Sequence, residues 1–347
     1  MKYKTTVMKF ACSLVAILVL SVRANAQDDL DQLVSQYKSD GSYLITSYID
    51  PFMKTLNLSL NQGWYNTAKP HKVAGVDLTV TVNAMYIPSS DKTYSTSNLQ
   101  QIELKPGQTQ FANGNVPTIF GKEEAPVYRP KGSTDPSQEF SGPQGLNLKK
   151  SIGINALPVP MVQLGFGLPK GFDIKFRYFP QYKIGDDGHV QMFGIGVMHD
   201  IKQYLPGIKL LPFDLSAFVG YTQIKLDYGM SGEVAGSDQK AVYNINATTI
   251  QGVISKKVSV ITVYGGLGYN IAKSELAIKG TYDTNNDGTY DPSDPKDVKD
   301  PYKHDFAASG PRVSAGARLK LAVFTLHADY TLQKYSCLTV GFGISVR

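Results

Sequence analysis

The stretch between residues 283 and 294 has the residue types and the spacing of a calcium-binding loop. Oxygen-bearing side chains recur at every second position, and Gly288 stands where such a loop turns sharply. The predicted ligands are Asp283, Asn285, Asp287, the backbone carbonyl of Thr289, Asp291 and Asp294. Asp294 replaces the usual bidentate glutamate, and strands rather than helices are expected on both sides. The alternatives are therefore a Ca²⁺ site of weak, extracellular-type affinity and a solvated acidic turn.

Histidine and serine chemistry is the second possibility. The five histidines are scattered and show no paired metal-ligand spacing. His327 and Asp329 alternate on one strand face, where a hydrolase would pair them with Ser314 or Ser345. Polar packing is the more common role of such a pair, and the chain has no G-x-S-x-G motif. The sequence therefore predicts a protein that is not an enzyme.

The elements that must position these residues are strands with a strict alternation of apolar and polar side chains. The clearest alternating segments are residues 76–86, 172–178, 312–319, 324–330 and 338–346. They run for about ten residues, longer than the strands of most soluble proteins and long enough to cross a membrane at a tilt. Tyr86, Tyr178 and Tyr330 end three of the apolar rows, where an interfacial aromatic girdle is expected.

Seven further segments have the composition of strands: residues 146–156, 161–168, 190–199, 213–228, 242–254, 258–269 and 274–282. The sequence thus predicts an all-β protein, an antiparallel transmembrane β-barrel of about 12–14 strands over residues 71–347, closed by the strand 339–346. Residues 88–145 and 283–311 are predicted as long outer loops. A soluble β-sandwich also alternates and is the alternative, with less support from the segment lengths.

The N-terminal residues differ from the rest. A basic start, an apolar run from residue 10 to 22 and the A-x-A motif at residues 24–26 predict a cleaved signal peptide, residues 1–26. Residues 27–70 are predicted as a helical plug, with Asp50-Pro51 opening a second short helix. This segment lies either in the periplasm or inside the lumen. Its candidates for ligand contact or plug packing are Phe52, Met53, Trp64 and Tyr65.

Charged residues are predicted on the inner faces of the strands. The lumen-facing candidates are Asp173, Lys175, Arg177, Arg312 and Arg318. Both signs of charge are present, so the sequence is compatible either with salt bridges that fill the lumen or with a water-filled channel. The whole chain has 35 basic and 29 acidic residues. Four of the basic residues belong to the predicted signal peptide, and the remaining near balance gives no reason to expect a nucleic-acid partner.

The chain also resembles known proteins. A helical hatch before a barrel that ends in GFGISVR is similar to the FadL-like long-chain fatty-acid transporters. The run NQGWYNTAK at residues 61–69, with YTLQ at 330–333 and TVGFG at 339–343, resembles an uncharacterised family of exported Bacteroidota outer-membrane proteins. The first resemblance implies passage of a hydrophobic small molecule through a plugged barrel. It identifies no ligand-binding residue one by one.

Two functions follow as predictions for a protein in the bacterial outer membrane. The first is a channel or transporter for small hydrophobic molecules, with membrane lipids around it. The second is a structural or surface-interaction barrel that uses its long outer loops. They differ in the lumen, because a transporter needs an apolar pocket where plug and wall meet and a path that can open.

Overall fold

The computed structural model describes residues 37–184, 187–230, 236–283, 287–294 and 297–346. The predicted signal peptide and residues 27–36 lie outside this range. Among the described residues, no helix combines the length and the apolar character needed to cross a membrane. In chain order the strands are β1 (Val76–Tyr86), β2 (Thr93–Ser95), β3 (Ile102–Leu104), β4 (Asn115–Pro117), β5 (Val127–Pro130), β6 (Phe140–Ser141), β7 (Ala156–Leu168), β8 (Phe172–Ile184), β9 (Gly188–Asp200), β10 (Asp214–Gly229), β11 (Lys240–Val258), β12 (Ile261–Lys279), β13 (Thr281–Tyr282), β14 (Val298–Lys299), β15 (Tyr302–Ala307), β16 (Gly310–Leu321), β17 (Phe324–Leu332) and β18 (Cys337–Val346).

The long strands close into a barrel. β1 pairs with β7 on one side and with β18 on the other, where Val76 lies opposite Val346. β11 and β12 pair along their whole lengths, and β15 and β16 follow each other along β12 as one interrupted strand. The result is a closed antiparallel barrel of ten strands. The predicted barrel class is confirmed, and β18 is the closing strand.

The strand count is lower than the predicted 12–14 for two physical reasons. The predicted segments 258–269 and 274–282 lie mostly in the single strand β12, whose far end pairs with β15 and does not need an apolar outer face. Residues 146–156 hold the short helix α2 (Leu148–Ile152) in place of a strand. Asn147 at φ 42° and Gly153 at φ 81° bend the chain at both ends of that helix.

Side chains on the long strands alternate between an apolar outside and a polar inside. Along β1, Val80 is 40% exposed and Thr81 only 2%. Along β18, Phe342 is 51% exposed, while Thr339 is buried. Tyr86 and Tyr330 meet on the outer surface with ring centroids 6.3 Å apart, as expected for an aromatic girdle. The barrel is therefore apolar where it meets its surroundings and polar within.

The two ends of the barrel are unequal. At the turn end, strands are joined by residues 169–171, 201–213, 259–260 and 322–323. At the loop end, the connections include residues 87–155 and 280–301. Residues 88–147, here called the cap, hold β2 to β6 and cover this end.

A single helix, α1 (Lys38–Ser59), precedes the barrel. The predicted helix start at Asp50-Pro51 is wrong, because Pro51 lies inside α1. Packing on both sides of the proline holds the helix together: Leu44 is buried against the cap and Phe52 against cap and wall residues. The carboxylate of Asp40 accepts hydrogen bonds from the backbone amides of residues 100–102 of the cap.

Candidate functional site

The chain between α1 and β1 passes through the barrel. α1 begins beside the cap at the loop end, and residues 60–71, here called the lumen segment, continue to the turn end. A barrel of eight strands is just wide enough for its own side chains, so ten strands leave room for an additional chain segment. Of the two placements open from sequence, the structure shows the one inside the lumen.

Arg177 on β8 holds the lumen segment from one wall. Its side chain is fully buried. Nη1 donates to the carbonyl of Leu60 at 2.9 Å and Nη2 to that of Gln62 at 2.6 Å. Nε donates to Oε1 of Gln163 at 3.2 Å, and the guanidinium lies 3.6 Å from the ring centroid of Trp64. This buried cation is thus satisfied by plug carbonyls and an indole face.

Arg312 on β16 binds the same turn of the chain from another part of the wall. Nη1 donates to the carbonyl of Asn61 at 2.7 Å, and Nη2 to Oε1 of Gln62 at 3.0 Å. Nη2 also donates to Thr331 Oγ1 at 3.2 Å. Two buried arginines therefore hold residues 60–62, where α1 has ended and backbone carbonyls are free to accept.

Trp64 and Tyr65 fill the middle of the lumen. Trp64 is 1% exposed, and its ring lies 5.6 Å from that of Phe218. Tyr65 donates to Gln251, and its hydroxyl lies 3.2 Å from the Ser314 hydroxyl. Wall glycines make room for both rings: a Cβ at Gly220 would lie 2.9 Å from the indole, and one at Gly266 only 2.2 Å from the Tyr65 hydroxyl. Gly220 and Gly266 therefore leave the space that the two aromatic rings occupy.

Charged groups anchor the turn-end part of the lumen segment. His71 Nδ1 lies 2.7 Å from Oδ2 of Asp173, and Nε2 lies 3.6 Å from Oδ1 of Asp77. Lys175 Nζ lies 3.5 Å from Asp173 and 3.9 Å from Asp77. Nearby, Arg318 Nη1 donates to Oδ1 of Asn66 at 3.0 Å. All five predicted lumen-facing charges thus point inward, and four of them bind the lumen segment directly.

The hydrolase arrangement considered as the alternative for His327 and Asp329 is not assembled among the described residues. Asp329 accepts from Tyr264 at 2.9 Å, and neither Ser314 nor Ser345 hydrogen-bonds His327 among the described residues. Ser345 instead lies 3.4 Å from His71 Nε2. Asp173, His71 and Ser345 thus lie in contact in the sequence Asp–His–Ser of a catalytic triad. The adjoining cavity, however, has a volume of only about 10 Å³. Such a cavity holds roughly one water molecule and no acyl group.

Phe52 and Met53 lie in the largest apolar cluster of the described residues. Phe52 packs on Phe120 of the cap at 6.2 Å between ring centroids, and Met53 is 2% exposed. The cluster joins α1 to the cap and to the part of the barrel wall nearest the loop end. Contact of these two side chains with a ligand stays a prediction that requires the cluster to open.

The acidic loop lies at the loop end, between the paired strands β13 and β14. Asp283 is buried, and its Oδ2 accepts from the backbone amide of Gly288 at 2.7 Å. Asp287 and Asp291 accept hydrogen bonds from backbone amides two residues further along the chain. The Thr289 amide donates to Asp287 Oδ1 at 3.0 Å, and the Ser293 amide donates to Asp291 Oδ1 at 2.8 Å. These hydrogen bonds from Ser293 lower the pKa of Asp291.

Asn285 lies outside the described residues, so the full predicted ligand set is not in view. Within the described part of the chain, no group of three or more His, Cys, Asp or Glu side chains is placed to hold a metal ion. The fold of the loop around Gly288 agrees with the predicted turn. Calcium binding stays a prediction.

Sequence reasoning missed the neutral partners of the arginines. Gln62 and Gln163 carry part of the network, and Asp40 joins α1 to the cap. The NQGWYNTAK run was the only signal in the sequence that could have singled out Gln62.

A model of a family of unknown function, DUF6588, matches residues 1–346. The chain belongs to DUF6588. A comparison with curated proteins finds no match. The family match names no transport activity, so the resemblance to FadL-like transporters and the Bacteroidota lineage stay predictions.

Among solved structures, this DUF6588 protein is similar to three barrels at low identity. Ail, the attachment invasion locus protein of Yersinia pestis, is 8% identical with a TM-score of 0.25, covering 79% of this chain and 98% of that chain. The translocator domain of the autotransporter NalP from Neisseria meningitidis is 10% identical with a TM-score of 0.27, covering 91% and 99%. The Ralstonia pickettii toluene transporter TbuX is 7% identical with a TM-score of 0.22, covering 86% and 99%. At these values the matches assign no function.

Proposed function

We propose that this DUF6588 protein resides in the bacterial outer membrane, is sealed by its own N-terminal segment, and acts through its loop end as a surface-interaction barrel. The apolar outer face of the ten strands supports burial in lipid. In such barrels the longer connections face the outside of the cell, which would expose the cap and the acidic loop.

The observation that carries the proposal is the filled lumen. Beside Trp64 the described residues leave a cavity of about 10 Å³, and its lining includes His71 and the charged side chains of Asp77, Asp173 and Lys175. A hydrophobic solute has no space there, and polar and charged side chains form most of the lining. We therefore place the function on the cap and not in the lumen.

Reconstitution into lipid bilayers tests this proposal. We expect heat-modifiable mobility on gels, fractionation with the outer membrane, and no steady conductance from the purified full-length chain. Rapid uptake of small solutes by liposomes that hold the wild-type protein would contradict a sealed barrel.

Transport is the second candidate, and one observation favours it. The buried amide side chains of Asn57 and Asn61 have no hydrogen-bond partner among the described residues. They lie at the junction of α1 and the lumen segment, where the plug would have to move. Uptake of a fluorescent fatty acid into proteoliposomes, absent with protein-free liposomes, would favour the FadL-like function over the surface function.

We also propose that the chain is not an enzyme and that the acidic loop, if it binds Ca²⁺, uses it to stiffen an exposed hairpin. The cavity beside Ser345 supports the first statement through its size. The hydrogen bond between Asp283 and the Gly288 amide supports the second.

A further inference from the structure

The cap carries an open cleft that is separate from the lumen. Its volume is about 280 Å³. Buried Phe111 and Phe120 contribute its apolar part, and Lys92, Thr93, Gln110 and Asn147 contribute polar groups. This volume lies just below the range for drug-sized ligands, roughly 300–1,000 Å³, and suits a ligand of a single ring.

The backbone around the cleft is held tightly. A Cβ at Gly121 would lie 2.5 Å from the carbonyl oxygen of Lys92 and 2.5 Å from Pro117 Cβ, so only glycine fits there. The Lys92 carbonyl accepts from the Thr118 amide at 3.0 Å, and the Gly121 carbonyl accepts from the Asn147 amide at 3.1 Å. The cleft is thus formed before any ligand arrives, which reduces the entropy lost on binding.

Several polar side chains of the cleft have no partner within the protein. Among the described residues, the ammonium of Lys92 and the side chains of Thr93, Gln110 and Asn147 make no hydrogen bond or ion pair. Lys122 differs, because Glu124 lies 3.8 Å from it. Lys92 therefore leaves one uncompensated positive charge in a concave site with hydroxyl and amide groups around it.

We propose that this cleft binds an anionic sugar, a single ring that carries a carboxylate or a phosphate. Lys92 would pair with the acid group, the amides and hydroxyl of Gln110, Asn147 and Thr93 would bind ring hydroxyls, and the small exposed parts of Phe111 and Phe120 would contact the apolar ring face. An apolar ligand fits poorly, because it would strip water from these polar groups without replacing the hydrogen bonds.

The inference rests on the proposed function, because a ligand outside the cell reaches the cleft only if the loop end faces outward. Binding in detergent does not depend on that orientation. A failure of binding therefore rejects the cleft proposal alone, and a failure of surface exposure rejects the surface function alone.

Calorimetry with the full-length protein in detergent tests the cleft. The probes are D-glucuronate, D-glucose 6-phosphate and neutral D-glucose. We expect at least one anionic sugar to bind, and D-glucose to bind on the order of tenfold more weakly or not at all, because a hydrogen bond to a charged group is lost. Lys92→Gln should weaken the anionic sugar by a similar factor. Lys149→Gln, which removes an exposed lysine of α2 outside the cleft, should not change it.

Two results overturn the proposal. One is the absence of heat from both anionic sugars at about 10 mM, a concentration that would detect even millimolar affinity. The other is binding that Lys92→Gln leaves unchanged, or that D-glucose matches.

Discussion

Removal of the Arg177 guanidinium should loosen the plug. Arg177→Met keeps an unbranched apolar side chain but deletes the donors to the carbonyls of Leu60 and Gln62. The Gln62 carbonyl, left without a partner, costs about 1–3 kcal/mol, and the Leu60 carbonyl keeps only the long hydrogen bond from Thr222 at 3.5 Å. The cation–π contact with Trp64 is also lost.

Part of this cost is offset, because removing the guanidinium also removes the desolvation free energy of a buried cation. A net weakening of plug attachment by about 2–4 kcal/mol follows. It corresponds to a roughly 30-fold to 1,000-fold larger population of the displaced plug. The barrel itself should persist, since its strand pairing does not involve this side chain.

The fluorescence of Trp64 reports displacement of the plug directly, because Trp64 is the single tryptophan of the chain and lies buried in the lumen segment. We expect the emission maximum of Arg177→Met to shift to the red and brief conductance events to appear in planar bilayers. Arg312→Met should act in the same direction, with non-additive effects in the double variant because both arginines bind Gln62. Arg129→Met, which removes a cap arginine paired with Glu103, is the matched control and should leave both signals unchanged. Wild-type emission together with a silent bilayer in the double variant would refute the plug account.

Three further predictions concern packing, pH and metal. Gly220→Ala places a methyl group 2.9 Å from the Trp64 ring and should cost about 1–3 kcal/mol in thermal unfolding, whereas Gly252→Ala, with open space around it, should be neutral. Burial raises the pKa of Tyr128 in the cap to about 12. The stability that depends on this neutral phenol is therefore present below pH about 10 and lost as the pH rises toward 12. In a titration followed at 295 nm, the tyrosinate absorbance of Tyr128 should appear at a higher pH than that of a free tyrosine. Calcium added at about 1 mM should bind the 283–294 loop and protect it from proteolysis, and calorimetry without heat at that concentration would remove the calcium site.

The barrel was predictable because lipid imposes a strict pattern. Residues 76–86 and 338–346 alternate without interruption, and the structure pairs them along nearly their whole lengths. The count of ten was not predictable, since β12 extends past the apolar belt and its outward side chains change from apolar Ile271 to charged Lys273 and Glu275, which made its far end look like a separate strand. The single helix through Pro51 was missed because packing against the cap outweighs the local start signal at Asp50-Pro51.

The inward direction of the charged side chains was predictable from the same alternation, but their partners were not. Arg177 and Arg312 bind backbone carbonyls of residues 60–62, and a sequence does not show which carbonyls a distant arginine will reach. The cleft on the cap could not be predicted from the sequence for a similar reason. Lys92 and Asn147 are 55 positions apart in the chain and meet only because Gly121 allows close backbone packing.

The central claim is that the N-terminal segment enters the barrel at the outer, cap-covered end and seals it. Cysteine labelling with a membrane-impermeant maleimide tests this in intact cells, because the native Cys337 is buried and silent. Ser39 at the start of α1 and Lys257 at the turn end are both exposed. We predict that Ser39→Cys is labelled in intact cells and that Lys257→Cys is labelled only after the outer membrane is permeabilised. Labelling of Lys257→Cys in intact cells, with Ser39→Cys protected, would contradict the account.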